Sequence, residues 1–362
     1  MTERISRNPG RRRLPVRLAC LLLPAALLAA CAMPPQQPGQ PTPVIGGTPA
    51  APGSAQQQAL RAIAEAQSRI DRVAGPLLVN NAPLCKSHAY KLLGFAAKNK
   101  YSYSADLAET VQQTFGYGER LQVTNVLAGS GAERVGVRRG DILIAADNKE
   151  LPPGDQAERQ AAAVLAPLVR SRSLVKLTVE RNDARQSLTV PLTQSCGFSI
   201  DLGNADHVNA YADGRRIVIT RGLLNFARSD QELGYVIARE MAHNILGHAA
   251  RQRLGATMGG IIDNLIRVNP DLDTMTGRSG VTPYPATLDA EADRLGLYLA
   301  ARAGYDASAA AAFWRGLAER TPASVANGYT AIHPDSEARL AALEKAAAEI
   351  RSKQAAKRPL LP

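Results

Sequence analysis

The chain has 362 residues, 45% of them hydrophobic, and a formal net charge of +11. Its first 30 residues hold six arginines and one glutamate, so the remaining residues carry only +6, with both signs mixed along the chain. Because we find no basic block with interleaved aromatic residues, nucleic acid is not an expected partner. The composition does not indicate an oligomeric state.

The N-terminal residues predict an exported, lipid-anchored protein. Arginines precede an apolar run of thirteen residues, 18–30, shorter than the roughly 20 needed to cross a bilayer. This is typical of a secretory signal peptide, here 1–30. The run ends in Leu-Ala-Ala-Cys31, which resembles a bacterial lipobox with Cys31 as the lipidated residue; the alternative is a plain signal peptide with an incidental cysteine. Ala32 resembles lipoproteins sent to an outer membrane, so we expect the periplasmic face of the envelope.

Residues 31–57 are expected to form a mobile tether, because they contain seven prolines and little for a core to bury. The folded chain then begins with a predicted N-terminal helical part, 58–104, in which apolar residues recur with helical spacing over 59–73. About 305 residues follow the tether, enough for two domains.

Two cysteines remain once Cys20 leaves with the signal peptide and Cys31 takes the lipid. In an oxidising periplasm the simplest prediction is one disulfide between Cys85 and Cys196. The alternative is a pair of buried thiols.

The segment between these cysteines has the pattern of β-strands. Strands are predicted over 121–127, 173–181 and 186–192, and Asn182-Asp183 is a hairpin signal between the last two. Gly129–Leu151, with its small-residue loop, short helix and Arg-Gly-Asp before a strand, resembles a PDZ domain over about 105–193. The resemblance implies a domain that binds extended peptides by adding a strand to a sheet edge.

One glycine-rich turn of this domain is a candidate for holding a peptide carboxylate. It consists of Phe115, Gly116, Tyr117 and Gly118. The alternative is that the domain only spaces or braces its host. Because the two cysteines lie on either side of it in the sequence, we interpret the domain as an insertion whose two ends are joined by the disulfide.

The remainder, 194–358, is predicted to be mostly helical after one hairpin, 207–224, that turns at Asp213-Gly214. Ser229 and Glu232 form a capping box that starts the first helix. The glycine-rich segment 259–282 is expected to be a mobile flap over a cleft. The predicted helices are 229–254, 287–303, 308–320 and 335–357.

The stretch AREMAHNILGH, 238–248, contains most of a metal-binding motif. Ligands four residues apart lie on one helix face, and the glutamate between them acts as general base towards metal-bound water. Glu240 and His243 fit this pattern. The leading position is Arg239, whose guanidinium stays protonated and offers only donors. Because a catalytic zinc uses three protein ligands, one ligand is missing.

Four motifs in order resemble the zinc metallopeptidase family of the HtpX, BepA and CAAX prenyl protease type, the gluzincins. They are the hairpin VNAYADGRRIVITRGLL, Glu240-x-x-His243 with Gly247-His248, Asp289-x-x-Ala292-Asp293, and Ile332-His333-Pro334 with Arg339 and Leu340. The resemblance spans about 196–345. It implies an α+β fold class: a mainly helical metallopeptidase domain with a small edge sheet, plus the inserted β-rich PDZ domain.

The resemblance also implies zinc as the cofactor and a role for each matching residue. The implied roles are zinc ligand for His243 and Asp289, general base for Glu240, orienting carboxylate for Asp293, a catalytic position close to the metal for His333, and peptide contacts for Asn209 and Ala210. Asp289 replaces a glutamate and is one methylene shorter, so its helix must approach more closely. His248 lies about 140° farther round the helix than His243, and we expect a structural contact there.

Arg239 leaves two main hypotheses. In the first, a membrane-anchored zinc metalloendopeptidase acts on envelope proteins or peptides, with catalysis impaired or retained through His243, Asp289 and His333. In the second, Arg239 takes the place of the metal and pairs with Asp289 and Asp293, and the protein is a peptide-binding or chaperone-like module for unfolded or extended segments. A purely structural PDZ lipoprotein, and a recent mutation or sequence error at position 239, also stay open.

Overall fold

The computed structural model describes residues 52–251, 255–272, 284–321 and 337–362, and these form a mixed fold of helices and sheets. The described helices are α1 Pro52–Asn80, α2 Ala108–Phe115, α3 Gly131–Arg134, α4 Ala157–Ser171, α5 Arg221–Phe226, α6 Asp230–Leu246, α7 His248–Arg251, α8 Gly255–Leu265, α9 Ala286–Arg302, α10 Ala310–Arg320 and α11 Glu337–Ala355. The described strands are β1 Ala89–Leu92, β2 Phe95–Lys98, β3 Gln122–Val126, β4 Ile142–Ala146, β5 Lys149–Glu150, β6 Leu174–Arg181, β7 Ala184–Pro191, β8 Thr193–Cys196, β9 Ser199–Gly203, β10 Ala210–Ala212 and β11 Arg216–Thr220.

The predicted signal peptide and Cys31 lie outside the described residues. None of the helices described here is long and apolar enough to span a bilayer. The end of the predicted tether, from Pro52 onwards, belongs to α1. The predicted helix 59–73 is therefore part of a longer one.

The segment between the two cysteines forms a six-stranded antiparallel sheet. β2, β3, β4, β6 and β7 follow one another across it, and β5 pairs with β4. The predicted hairpin turn is present, and both Asn182 and Asp183 have positive φ angles, the conformation that a two-residue turn between twisted strands favours. The apolar sides of the central strands, including Val175 and Leu177, form a core together with residues of α4.

This sheet begins before the predicted boundary at residue 105. β2 pairs antiparallel with β3, with Phe95 opposite Val126 and Lys98 opposite Gln122. β2 is an edge strand, and its side chains alternate only between half-buried and exposed. A four-residue strand with this weak pattern is below what hydrophobic periodicity detects.

The two ends of the segment that forms this sheet are held next to each other by a disulfide and a strand pair. Cys85 and Cys196 form the predicted disulfide, with Cα atoms 5.6 Å apart. β1 and β8 pair beside it, with Ala89 opposite Cys196. Because both cysteines are buried, the disulfide ties the two ends of the segment together within the core.

The larger core is built around α6 and α9, with the small sheet β10-β11-β9 beside them. α1 packs along α6 and β9. It also passes close to the six-stranded sheet, because a Cβ at Gly75 would lie 3.2 Å from the Cβ of Ala128. Glycine at this position therefore allows α1 to contact both parts of the fold.

The predicted helices of the C-terminal part are present, with shifted ends. α6 starts where expected, since Ser229 Oγ accepts a hydrogen bond from the backbone N–H of Glu232 at 3.1 Å. It ends at Leu246, eight residues before the predicted end, because Gly247 takes the left-handed conformation with φ of 68°. The predicted hairpin keeps β10 and β11, but its last residues form α5. Of the predicted flap, 259–265 is helical and 273–282 lies outside the described residues.

Candidate functional site

Helices α6 and α9 approach each other so closely that glycine is needed at their contact. A Cβ on Gly296 would lie 3.0 Å from the Cα and 3.1 Å from the N of Arg239. The buried side chains that the contact brings together are Arg239, Glu240, His243, Asp289 and Asp293.

The guanidinium of Arg239 is bound by three carboxylates. Nη2 donates to Asp289 Oδ1 at 2.6 Å, Nη1 donates to Glu240 Oε1 at 2.9 Å, and Nε donates to Asp293 Oδ1 at 3.1 Å. The residue is 1% exposed. A charge this deeply buried needs such partners to offset its lost hydration. The structure thus places Arg239 against both carboxylates named in the second hypothesis and adds Glu240.

A second arginine and a tryptophan extend this network. Arg339 donates from Nε to Asp293 Oδ2 at 2.6 Å and from Nη2 to Asp293 Oδ1 at 2.9 Å. The ring of Trp314 lies 4.8 Å from Cζ of Arg339 and 5.8 Å from Cζ of Arg239, within cation–π range. Two guanidinium groups thus face three carboxylates across α6, α9, α10 and α11. No sequence signal pointed to Trp314.

His243 has a different set of neighbours. Its Nδ1 lies 2.9 Å from Nδ1 of His248, and its ring stacks on Tyr284 with centroids 4.5 Å apart. Its Nε2 is 3.7 Å from Asp289 Oδ1. His248 in turn reaches Glu291 at 3.3 Å. The end of α6 at Gly247 brings His248 back onto His243, which the uninterrupted helix predicted from the sequence did not anticipate.

Burial is the largest cause of the pKa shifts of Glu240 and His248. It raises the pKa of Glu240, and the neighbouring Arg239 opposes the shift. Glu240 Oε2 is buried without a hydrogen-bond partner among the described residues. Burial also lowers the pKa of His248, against the hydrogen bond to Glu291, which raises it.

The described residues of this site do not fit a catalytic zinc ion. Zinc needs several nitrogen, sulfur or oxygen donors converging on one point. Here Asp289 and Glu240 already accept hydrogen bonds from Arg239, whose positive charge lies between them. His243 and Asp289 are the two predicted ligands that the structure describes, and His333 lies outside the described residues. Within those residues no group of three His, Cys, Asp or Glu side chains is arranged to hold a metal ion.

The predicted peptide-binding residues lie in two other places. Ala210 is the first residue of β10 and is buried, and Asn209 before it accepts a hydrogen bond from the Ala210 N–H at 2.8 Å. Phe115 ends α2, and Gly116 caps it in the left-handed conformation with φ of 73°. Tyr117 stacks on Phe115 and lines a large cavity beside β2.

That cavity is a second candidate site, with a volume of about 1350 Å³. The edge of β2 and the exposed side of α4 line one side, and α1 and β9 line the other. Gly94, with φ of 89°, turns the chain into β2. The sequence Leu92-Leu93-Gly94-Phe95 at this turn was not selected as a binding signal, because β2 itself was not predicted.

The site thus places an arginine among the residues that the sequence resemblance expects around a metal. In agreement with this, residues 175–347, slightly less than half of the chain, match the model of Peptidase family M48. The expected resemblance to a peptidase family is therefore confirmed for this part of the chain, as a similarity to the M48 family.

Several curated proteins are similar over part of the chain. The mitochondrial metalloendopeptidase OMA1 of Arabidopsis thaliana is 28% identical over 46% of this chain and 35% of its own length. The human OMA1 is 30% identical over 35% of this chain and 27% of its own length. The beta-barrel assembly-enhancing protease of Escherichia coli K12 is 28% identical over 42% of this chain and 35% of its own length. The chain thus spans about a third of the length of these relatives.

The solved structure of the HtrA3 PDZ domain bound to a phage-derived ligand also matches. It covers 30% of this chain and 88% of its own, with 17% sequence identity and a TM-score of 0.22. A likeness this low supports no argument about function.

Proposed function

We propose that this protein is a lipid-anchored pseudo-peptidase of the M48 type that binds extended protein segments at the cell envelope without cleaving them. The observation that carries the proposal is the position of Arg239. Its guanidinium is bound within 3.1 Å of the three carboxylates that the resemblance assigns to metal binding, base catalysis and ligand orientation.

Arg239 supplies a positive charge that these carboxylates need. Because it donates one hydrogen bond to each, it joins α6 to α9 at the point where they cross. Glu240 then has a structural partner on one oxygen. A general base must reach the water that it deprotonates, and Glu240 is 0% exposed.

Binding of protein segments is supported by the cavity beside β2. One edge of β2 has no strand partner within the described residues, and a free strand edge can accept an extended segment through main-chain hydrogen bonds. The similar proteins are named as proteases, which favours polypeptides over small molecules as the ligand class.

The envelope location rests on the N-terminal sequence. The arginine-rich start, the apolar run and Cys31 support export and lipid attachment, with an outer membrane as the proposed destination. The proline-rich residues after Cys31 would hold the folded part away from the membrane surface.

The test is the zinc content of the full chain, purified in detergent without chelator and without a histidine tag, together with its cleavage of casein. We expect neither stoichiometric zinc nor cleavage of casein, because the carboxylates of the site already accept hydrogen bonds from the guanidinium of Arg239. Arg239→His should bind about one zinc per chain, as one added imidazole restores the third ligand of such sites. Arg221→His, a partly exposed position outside the site, is the matched control and should bind none.

About one zinc in the wild-type protein, lost in His243→Ala, would contradict the proposal. So would casein cleavage that Glu240→Gln abolishes. The first result would establish a metal site of the kind that the first hypothesis requires, and the second would establish a working metallopeptidase.

A further inference from the structure

Two tyrosine side chains at one end of the cavity beside β2 have hydroxyl groups without an acceptor. Tyr103 and Tyr117 both line the cavity. Tyr117 is 5% exposed, and its ring stacks on Phe115 with centroids 5.1 Å apart. Within the described part of the chain, neither hydroxyl donates a hydrogen bond to a protein oxygen or nitrogen. Because buried tyrosine hydroxyls usually have a hydrogen-bond partner, both can donate to a ligand in the cavity.

Both hydroxyl groups stay protonated at neutral pH and are therefore donors. Burial raises the pKa of Tyr103 to about 12 and also raises the pKa of Tyr117. The charge of Arg139 opposes both shifts, so its guanidinium lies close to both phenol groups. Because a guanidinium offers only donors, it cannot accept the proton of either hydroxyl.

Arg139 brings a positive charge without a carboxylate partner to this end of the cavity. It lines the cavity from the turn before β4 and is itself exposed. The nearby Asp141 accepts hydrogen bonds from Arg181 and from the backbone N–H of Arg138. Among the residues that the structure describes, no carboxylate oxygen lies within 4.0 Å of the guanidinium of Arg139.

Lys98, the last residue of β2, adds a second cation. Its ammonium lies 5.2 Å from the ring centroid of Tyr103. The strand starts after Gly94, so Lys98 lies about 13 Å from that turn, at about 3.3 Å per residue. Lys98 and Tyr103, together with Tyr117 and Arg139, form what we call the donor cluster.

Three aspartates also line the cavity, Asp71, Asp106 and Asp201. None of these carboxylates lies within 4.0 Å of a side-chain nitrogen of Lys98 or Arg139. Lys98 lowers the pKa of Asp71 and of Asp201, but by less than burial raises each of them. The charge that acts on both phenol groups is that of Arg139. The donor cluster is therefore a cationic end of a cavity of mixed charge.

We propose that the donor cluster is a subsite for the carboxylate of an aspartate or glutamate side chain in a bound protein segment. A guanidinium, an ammonium and two phenol hydroxyls all donate hydrogen bonds, and a carboxylate offers two oxygens that accept several of them. Of the turn predicted to hold a carboxylate, 115–118, Tyr117 is the residue that lines the cavity. This subsite rests on the proposed binding of protein segments and adds the chemistry of one ligand side chain.

The experiment measures fluorescence anisotropy of the full chain in detergent with peptides of about ten residues, which extend over roughly 33 Å. The peptides contain alanine, serine and valine, carry a neutral dye, and end in an amide so that no terminal carboxylate is present. A single glutamate is moved along the sequence. A matched set replaces the glutamate with glutamine, which keeps the shape of the side chain but removes its charge.

We expect the best glutamate peptide to bind about tenfold more tightly than its glutamine partner, the effect of charge-assisted hydrogen bonds. Tyr117→Phe keeps the ring that packs in the core but removes the donor, and it should reduce this preference by at least about threefold. Arg139→Met should reduce it at least as much. The controls are Tyr101→Phe and Arg138→Met, two exposed neighbours outside the cavity lining, and both should leave the preference unchanged.

Equal affinities for glutamate and glutamine peptides at every position would overturn the subsite and leave the binding of protein segments standing. A glutamate preference that survives Tyr117→Phe combined with Arg139→Met would also overturn it, because the carboxylate would then be bound elsewhere. Short-chain phosphatidylglycerol is added as a competitor. If it displaces the peptides, and Arg139→Met abolishes this displacement, the cluster binds a lipid phosphate and the proposed ligand is wrong. If no peptide binds, the proposed function fails together with the subsite.

Discussion

Gly296 of α9 lies directly on the backbone of Arg239 in α6, with space for a hydrogen atom but not for a methyl group. This contact sets the distance between the two helices. That distance decides whether the guanidinium of Arg239, which binds Glu240 on its own helix, can also reach Asp289 on α9. The arginine and the glycine therefore act as a unit, since the hydrogen bonds depend on the helix spacing.

Gly296→Ala should destabilise the protein. The added methyl group would force α6 and α9 apart by a few tenths of an ångström, at a cost of about 1–3 kcal/mol in the free energy of unfolding. Urea unfolding followed by circular dichroism measures this. Gly260→Ala in α8 is the control, because its Cβ meets open space and better helix propensity should stabilise by about 0.5–1 kcal/mol. Equal effects of the two substitutions would contradict the close contact.

Arg239→Met should lower the free energy of unfolding by more than the loss of a surface arginine does. It removes the cation and leaves buried carboxylates that have lost a partner, which costs about 3–5 kcal/mol. The same unfolding measurement applies. The control is Arg221→Met, which breaks an exposed ion pair with Asp206 and should cost no more than about 1 kcal/mol. A small effect of Arg239→Met would show that the network contributes little to stability.

The sequence predicts this site in part. Helix spacing placed positions 239 and 243 on one face, and the family resemblance implied that Asp289 and Asp293 lie close to Glu240 and His243. The sequence did not predict that α6 stops at Gly247, because a single glycine inside an apolar pattern does not by itself end a helix.

The elements of the fold were likewise predicted only in part. The hairpin at Asn182-Asp183 and the helices α6, α9, α10 and α11 have strong local signals and were predicted, whereas α5 and α8 were not. β2 was missed because it is short and lies at a sheet edge, where one side of the strand is solvated. The cavity beside it was missed for a further reason: its walls come from α1, β2, α4 and β9, which are far apart in sequence.

Asp141→Ala should destabilise the six-stranded sheet. Asp141 is 1% exposed, accepts from Arg181 at 2.6 and 2.7 Å, and accepts the Arg138 N–H at 2.9 Å. Removing it leaves a half-buried guanidinium without its carboxylate, at a cost of about 2–4 kcal/mol. Arg185→Ala, whose pair with Glu180 is long and largely exposed, should change the unfolding free energy by less than about 0.5 kcal/mol.

Asp71→Asn should stabilise the protein at neutral pH and not at acidic pH. The folded state raises the pKa of Asp71 from 3.8 to about 6, mainly because burial disfavours the charged form. Between these values the folded state holds more protons than the unfolded state, so the free energy of unfolding falls as pH rises through this window. Above it the carboxylate costs up to about 3 kcal/mol, at roughly 1.36 kcal/mol per pKa unit.

The amide that Asp71→Asn introduces does not ionise, so the variant should gain stability over the wild type above about pH 6, with the difference closing below about pH 4. Urea unfolding at a series of pH values measures it. Asp206→Asn is the control of opposite sign, since the hydrogen bond from Arg221 lowers the pKa of Asp206, and its removal should slightly destabilise at neutral pH. A pH-independent difference for Asp71→Asn would contradict the raised pKa of Asp71.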